Sequence, residues 1–145
     1  MYFVDREKIE ETLLYMENKI EFIQNNKSWD SQMEKMALER GIHTIIEAIL
    51  DTGNAMIDGF IMRDPGSYED IVDILTDEKV VNEELSLVMK EFISFRKILV
   101  QHYINVNHED LINVVSTSIN KLKTYPGCVR NYLTNELGPI SAFKK

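Results

Sequence analysis

Ile9, Leu13, Met16, Ile20 and Ile23 recur at alternating spacings of four and three residues. That repeat draws one narrow apolar line along a helix and leaves its other faces polar. A line so narrow suits packing on a single neighbour. Strand-like alternation, which would repeat every second residue, is scarce anywhere in the chain. With only three prolines and six glycines in 145 residues, little interrupts a helical reading.

The spacing predicts a first helix from Asp5, its N-cap, to about Gln24, and NNKSWDS as the turn after it. A long second helix runs from about Ser31 to Ile61. Its apolar arc is wide: Met33, Met36, Ala37, Ile45, Ile46, Ile49, Leu50, Met56, Ile57 and Phe60. A polar strip of Arg40, Thr44, Glu47, Asp51, Asn54 and Asp58 runs beside it. Pro65-Gly66 breaks the helix. Ser67 with Asp70 forms a capping-box pattern for a short third helix, Tyr68 to about Asp77. The fourth helix opens at Asn82 and runs to about Tyr103. The fifth opens near Asn107 with Leu111, Val115, Ile119 and Leu122. Pro126-Gly127 breaks or kinks the chain, and a last helical piece spans Val129–Leu137. The expected fold is all-α, an up-down bundle of four to five main helices. It forms one domain over residues 1–145, with a core of about 4–137 and a short tail, 138–145.

Formal net charge is −8, and it is lopsided. Residues 1–72 hold 7 Lys+Arg against 15 Asp+Glu, while residues 73–145 hold 9 of each. An acidic chain repels phosphate in bulk, which argues against DNA and strong non-specific nucleic-acid binding but leaves room for a small local site. No apolar run approaches the roughly 18 residues that cross a bilayer. MYFVDREKIEE lacks a basic n-region and an apolar h-region, so the chain reads as cytoplasmic, without a membrane. The single cysteine, Cys128, has no internal partner and reads as structural. No Cys/His cluster is spaced to hold a metal, and no cofactor is expected.

FRKILVQHYINV, residues 95–106, sets one oddity inside the helical pattern. On a helical wheel Leu85, Met89, Phe92, Ile93, Leu99 and Val100 fall within about 60° of Arg96. Tyr103 lies almost in line with Arg96, and His102 falls at the edge of the arc. Lys90, Ser94, Lys97 and Gln101 gather opposite. A guanidinium stays charged and needs an anion when buried. Glu47 and Asp51, one turn apart on the second helix, are the candidate partners. The other candidate is a ligand phosphate, which a planar fork suits. An arginine can stabilise a phosphorane, and a nearby imidazole can move protons. Those are the parts needed to cleave RNA through its own 2′-hydroxyl.

An arginine followed after four to six residues by a histidine, late in a helix of an all-α chain, resembles the HEPN superfamily. The segments VDREKIEETLLYMENKIEFI, ALERGIHTIIEAILDTGNAMI, PGSYEDIVDIL and FRKILVQHYINVNHEDL resemble its HepT-like, YutE-type branch, from Val4 to about Leu122. The branch pattern is Arg-x4-His-x-Tyr. Arg96 and Tyr103 match it. Gln101 stands where the histidine belongs, and histidine stands one place later, at His102. Lys97 replaces the usual polar residue after the arginine. The resemblance implies a toxin-type, metal-independent endoribonuclease that leaves 2′,3′-cyclic phosphate ends. It implies a two-fold homodimer with Arg96 and His102 converging at a groove, and an MntA-type nucleotidyltransferase antitoxin that adds AMP to Tyr103. Glu47 and Asp51 would orient Arg96 or tune His102.

The departure leaves three states open: catalysis by His102, recruitment of His108, or a non-catalytic dimer that binds a nucleotide or a partner. A wide apolar arc on the fourth helix is consistent with a dimer. Lys97 would line the groove, and Lys121 and Lys123 read as a solvated helix end. His43 reads as a boundary histidine, Trp29 as a hydrophobic plug, and Met33, Met36, Met56 and Met62 as adaptable core.

Overall fold

A computed structural model describes residues 2–138. The tail expected beyond Gly138 lies outside those residues. All regular structure among them is helical: α1 Arg6–Asn25, α2 Gln32–Gly59, α3 Tyr68–Asp77, α4 Glu83–Ile93, α5 Arg96–Val100, α6 His108–Leu122 and α7 Tyr125–Leu137. A short 3-10 turn, Tyr103–Asn105, separates α5 from α6. α4 leads into α5, and α6 into α7, through residues that keep helical dihedrals, so the chain forms five helical units.

Local chemistry sets the early boundaries. Asp5 caps α1 by accepting from the Lys8 N–H. Ser31 and Glu34 close a reciprocal capping box on α2. The α1 line of Ile9, Leu13, Met16, Ile20 and Ile23 is fully buried against α2. α2 is the central helix and packs on α1, α3, α4, α5 and α6. Trp29 plugs the first turn, edge-on to Phe22. Arg130 clasps Glu10 and Glu17 with four hydrogen bonds of 2.8–3.0 Å and so docks α7 on α1.

Gly53 lets α3 approach α2 closely. A Cβ there would stand 2.6 Å from the Ile71 Cγ2, and Ile71 is buried and stiff. Gly53→Ala should therefore destabilise. The roughly 1 kcal/mol gained in helix propensity is outweighed by overpacking of about 1–3 kcal/mol. A lowered thermal midpoint checks this.

Three expectations are corrected. The fourth helix does not run unbroken from Asn82 to Tyr103. At Ser94 and Phe95 the hydrogen-bond ladder slips: Phe95 N–H bonds the Phe92 carbonyl, and Ser94 Oγ bonds the Glu91 carbonyl at 2.6 Å. The helix resumes for five residues and ends at Val100. α7 starts at Tyr125, four residues earlier than expected, because Pro126 sits in its first turn, where no N–H is needed. Met33 and Met36 are not core. They are 82% and 62% exposed, whereas Met56 is buried.

Candidate active site

Glu39, His43 and Glu47 lie four residues apart on α2 and therefore share one face, about 6 Å per step. Arg96, at the start of α5, reaches across to Glu47. Its Nε donates to Oε2 at 2.7 Å and its Nη2 to Oε1 at 3.5 Å. Of the two expected partners, Glu47 takes this role, while Asp51, a turn further along, is exposed. The Glu47 hydrogen bond pushes the Arg96 guanidinium further up, so it stays charged. The Tyr68 ring lies 4.6 Å from its central carbon, a cation–π contact. Arg96 is half-buried, its side chain 23% exposed.

Tyr68 is aimed by its own turn. Ser67 Oγ accepts from the Asp70 N–H, as the capping pattern predicts. The Asp70 carboxylate does not return to Ser67. It accepts instead from the Gly66 N–H and from both terminal nitrogens of Arg63, at 2.7 and 2.8 Å. Those bonds, the Arg63 pair first, hold the Asp70 carboxyl down at about 2. Because the folded value lies below the unfolded one, the stabilisation is complete above about pH 4 and lost as pH falls through 2. Asp70→Asn should remove that acid-range dependence, read as a flatter plot of thermal midpoint against pH between 2 and 4.

His43 was missed as a site residue. Its Nε2 stands 4.0 Å from the same Glu47 oxygen that Arg96 grips. His108 was expected only as an alternative, and it bonds Glu39 at 2.6 Å. The signal available in the sequence was the four-residue spacing in ALERGIHTIIEA, which aligns all three α2 side chains. Two clefts meet along this row. One, about 190 Å³, is lined by Met36, Glu39, Arg40, His43 and Leu99. The other, about 410 Å³, is lined by Gln32, Lys35, Met36, Glu39, Tyr103, Ile104, Val106 and His108.

The break at Ser94 and the helix end at Val100 turn His102 and Tyr103 outward, while Lys97 and Gln101 stay on the polar side where they were expected. Lys97, Gln101 and His102 are all exposed. Tyr103, expected on the buried arc in line with Arg96, is 65% exposed and lines the larger cleft. Lys35, Arg40 and Lys97 enter none of the ion pairs among the described residues. Lys121 is paired with Glu84, and Lys123 is exposed at the end of α6. Cys128 is half-buried, and burial pushes its thiol up, away from reactivity. Among the described residues no three His, Cys, Asp or Glu side chains are grouped to hold a metal ion, and no helix is long and apolar enough to cross a membrane.

The family model described as "Ribonuclease HepT-like" matches residues 7–129. The chain belongs to the HepT-like ribonuclease family. It is 50% identical over 144 residues to the Bacillus subtilis (strain 168) protein named "Putative RNase YutE", covering 99% of this chain and 100% of that one. The solved structure of YutE from Bacillus subtilis, described there as a cytosolic protein of unknown function, superposes with a TM-score of 0.93. That match has 49% identity and covers 96% of this chain and 97% of the other. A tri-AMPylated Shewanella oneidensis HEPN toxin in complex with an MNT antitoxin shares the fold, with a TM-score of 0.72. Its identity is 18%, over 86% of this chain and 95% of that one. The HepT-like family therefore accounts for the five helical units.

Proposed function

We propose that the chain is a toxin-type endoribonuclease that works without metal at a groove between two copies of itself. Arg96 binds and stabilises the scissile phosphate, and His102 moves a proton. The RNA 2′-hydroxyl attacks the neighbouring phosphorus, the 5′-oxygen leaves, and a 2′,3′-cyclic phosphate remains. An MntA-type nucleotidyltransferase antitoxin in the same cytoplasm silences the site by adding AMP to Tyr103.

The observation that carries this reading is the state of Arg96. Glu47 engages Nε closely and Nη2 only at 3.5 Å. The carboxylate and the Tyr68 ring fix the fork in place, yet most of its five donors take no partner among the described residues. A fork held in this way suits a phosphate. Lys35, Arg40 and Lys97, in no ion pair among the described residues, add positive charge to a chain that is otherwise acidic, and His43, His102 and His108 are its only histidines. Dimerisation is supported by exposed apolar side chains lining the larger cleft: Met36, Tyr103 and Ile104, the last 85% exposed. The exposure of Tyr103 also suits modification by a second protein.

Gln101 at the family's histidine position favours a second reading, a non-catalytic dimer that binds a nucleotide or a partner. Cleavage of total cellular RNA by the purified protein in EDTA separates the two. Under the proposed reading the products carry cyclic phosphate ends, and His102→Ala loses them with the fold intact. Gln101→His should then change the rate by less than about threefold, because a working histidine is already present. A large rise in Gln101→His instead marks a decayed site.

A further inference from the structure

We propose that His43 is a positioning residue for phosphate binding: its proton offsets the charge of Glu47, so that Arg96 attracts RNA more strongly when His43 is protonated. This rests on one part of the reading above, that Arg96 meets a phosphate, and not on the cleavage step. A single carboxylate oxygen joins the three groups. Glu47 Oε2 accepts from Arg96 Nε at 2.7 Å, and His43 Nε2 stands 4.0 Å from the same oxygen. His43 precedes Glu47 by one turn on the long α2, so the two side chains share a face. Leu99, one turn beyond Arg96 on α5, lines the smaller cleft with His43. All three charged groups are partly exposed, so solvent protons and a ligand both reach them.

Arg96 and Glu47 alone carry no net charge. The fork is well held, but its attraction for an anion is largely cancelled by its own partner. An imidazole changes charge between about pH 5 and 8. With a proton on His43 the three groups together are positive. A carboxylate oxygen accepts more than one bond, so His43 can close on Oε2 without displacing Arg96. The other ionisable groups around His43 leave Glu47 as its partner. On α2, Glu39 is already bonded to His108 of α6 at 2.6 Å, and Arg40, in the same cleft, opposes a further cation. From α3, the Tyr68 ring covers Arg96, and on α5 Lys97 is exposed beside it. α1 and α4 also pack on α2, and among the described residues neither forms an ion pair with His43. A proton on His43 and a phosphate on Arg96 therefore favour each other, by the same factor in both directions.

The test is the affinity of the purified protein for a short, fluorescent, mixed-sequence 2′-O-methyl RNA, which has no free 2′-hydroxyl to attack. It is measured from about pH 8 to about pH 5. The parent should bind at least about fivefold more tightly at the acid end. His43→Gln should match the parent near pH 8 and lose most of that gain as pH falls. His102 and His108 are the same in both proteins, so their own titration cancels in the comparison. His43→Lys, charged throughout, should bind at about pH 8 as tightly as the parent does at about pH 5. In cleavage assays below about pH 6, His43→Gln should raise KM and leave kcat within about twofold, the mark of an interaction made equally before and during reaction. Thermal midpoints at each pH show that both variants are folded. A His43→Gln curve that runs parallel to the parent's at every pH overturns the inference and leaves His43 a fixed boundary contact. Failure of a folded His43→Lys to tighten binding at about pH 8 overturns it as well. A parent that shows the expected pH dependence of binding but cleaves nothing fails the ribonuclease reading while the inference stands. A parent that binds no RNA at any pH fails Arg96 as a phosphate-binding residue, and the inference falls with it.

Discussion

Arg96→Ala is expected to lower RNA cleavage by about 10²- to 10³-fold while leaving the protein folded. The rate effect comes from losing the one cation that Glu47 and Tyr68 hold rigidly in place. A preorganised donor costs no reorganisation when charge develops on the phosphorane. The stability effect is small because the pair sits at the edge of the bundle. Glu47 is 36% exposed and can turn to water once unpaired. The lost ion pair and cation–π contact together are worth about 1 kcal/mol. Arg96→Lys keeps the charge but not the fork, so an intermediate rate is expected. Thermal melts beside single-turnover rates separate the two effects. Unchanged cleavage by a folded Arg96→Ala would sink the proposed mechanism and leave Arg96 as a structural tie between α5 and α2.

The largest stability loss is expected at Tyr125, whose side chain is fully buried at the start of α7. Thr52 Oγ1 lies 2.7 Å from both the Ala48 carbonyl and the Tyr125 hydroxyl. Thr52 has a single hydrogen, and the carbonyl can only accept. With that hydrogen on Ala48, the Tyr125 O–H is the donor to Thr52. Burial pushes the phenol well above its ordinary range, so it stays protonated and able to donate. Tyr125→Ala removes the ring and leaves a cavity between α7 and α2, at about 3–5 kcal/mol. Tyr125→Phe keeps the ring and loses only the bond, about 1 kcal/mol, because Thr52 retains its carbonyl partner. Urea unfolding of both variants checks the ratio. A Phe variant as unstable as the Ala variant would mean that the hydroxyl, not the ring, holds the two helices.

The helices were legible wherever a local signal sufficed. Asp5, Ser67 and Asn82 cap the helices they were expected to cap, and Ser31 and Asn107 cap helices expected to start about there. The α1 line is buried as its spacing requires. The family likeness was carried by Arg96, Tyr103 and the segments around them, and the family model covers the same stretch. Extrapolating one wheel through Ser94 failed. That wheel assumes an unbroken ladder, and the serine hydroxyl and the 3-10 bond at Phe95 interrupt it. Each residue of slip rotates the downstream side chains by about 100°. Tyr103 thus went from an expected buried arc to open solvent.

The sequence by itself determined that the chain is helical, where most helices begin, and that a charged Arg96 must find an anion. It could narrow that anion to Glu47 or Asp51 because both lie on one strip of α2. Only the tertiary structure decided between them, since the choice depends on where α5 crosses α2. It also decided that His43 and His108 join the same row, through carboxylates 4 and 69 residues away. A periodic pattern reports which face of a helix turns inward. It does not report which residue of another helix arrives opposite, because that depends on packing the whole core at once.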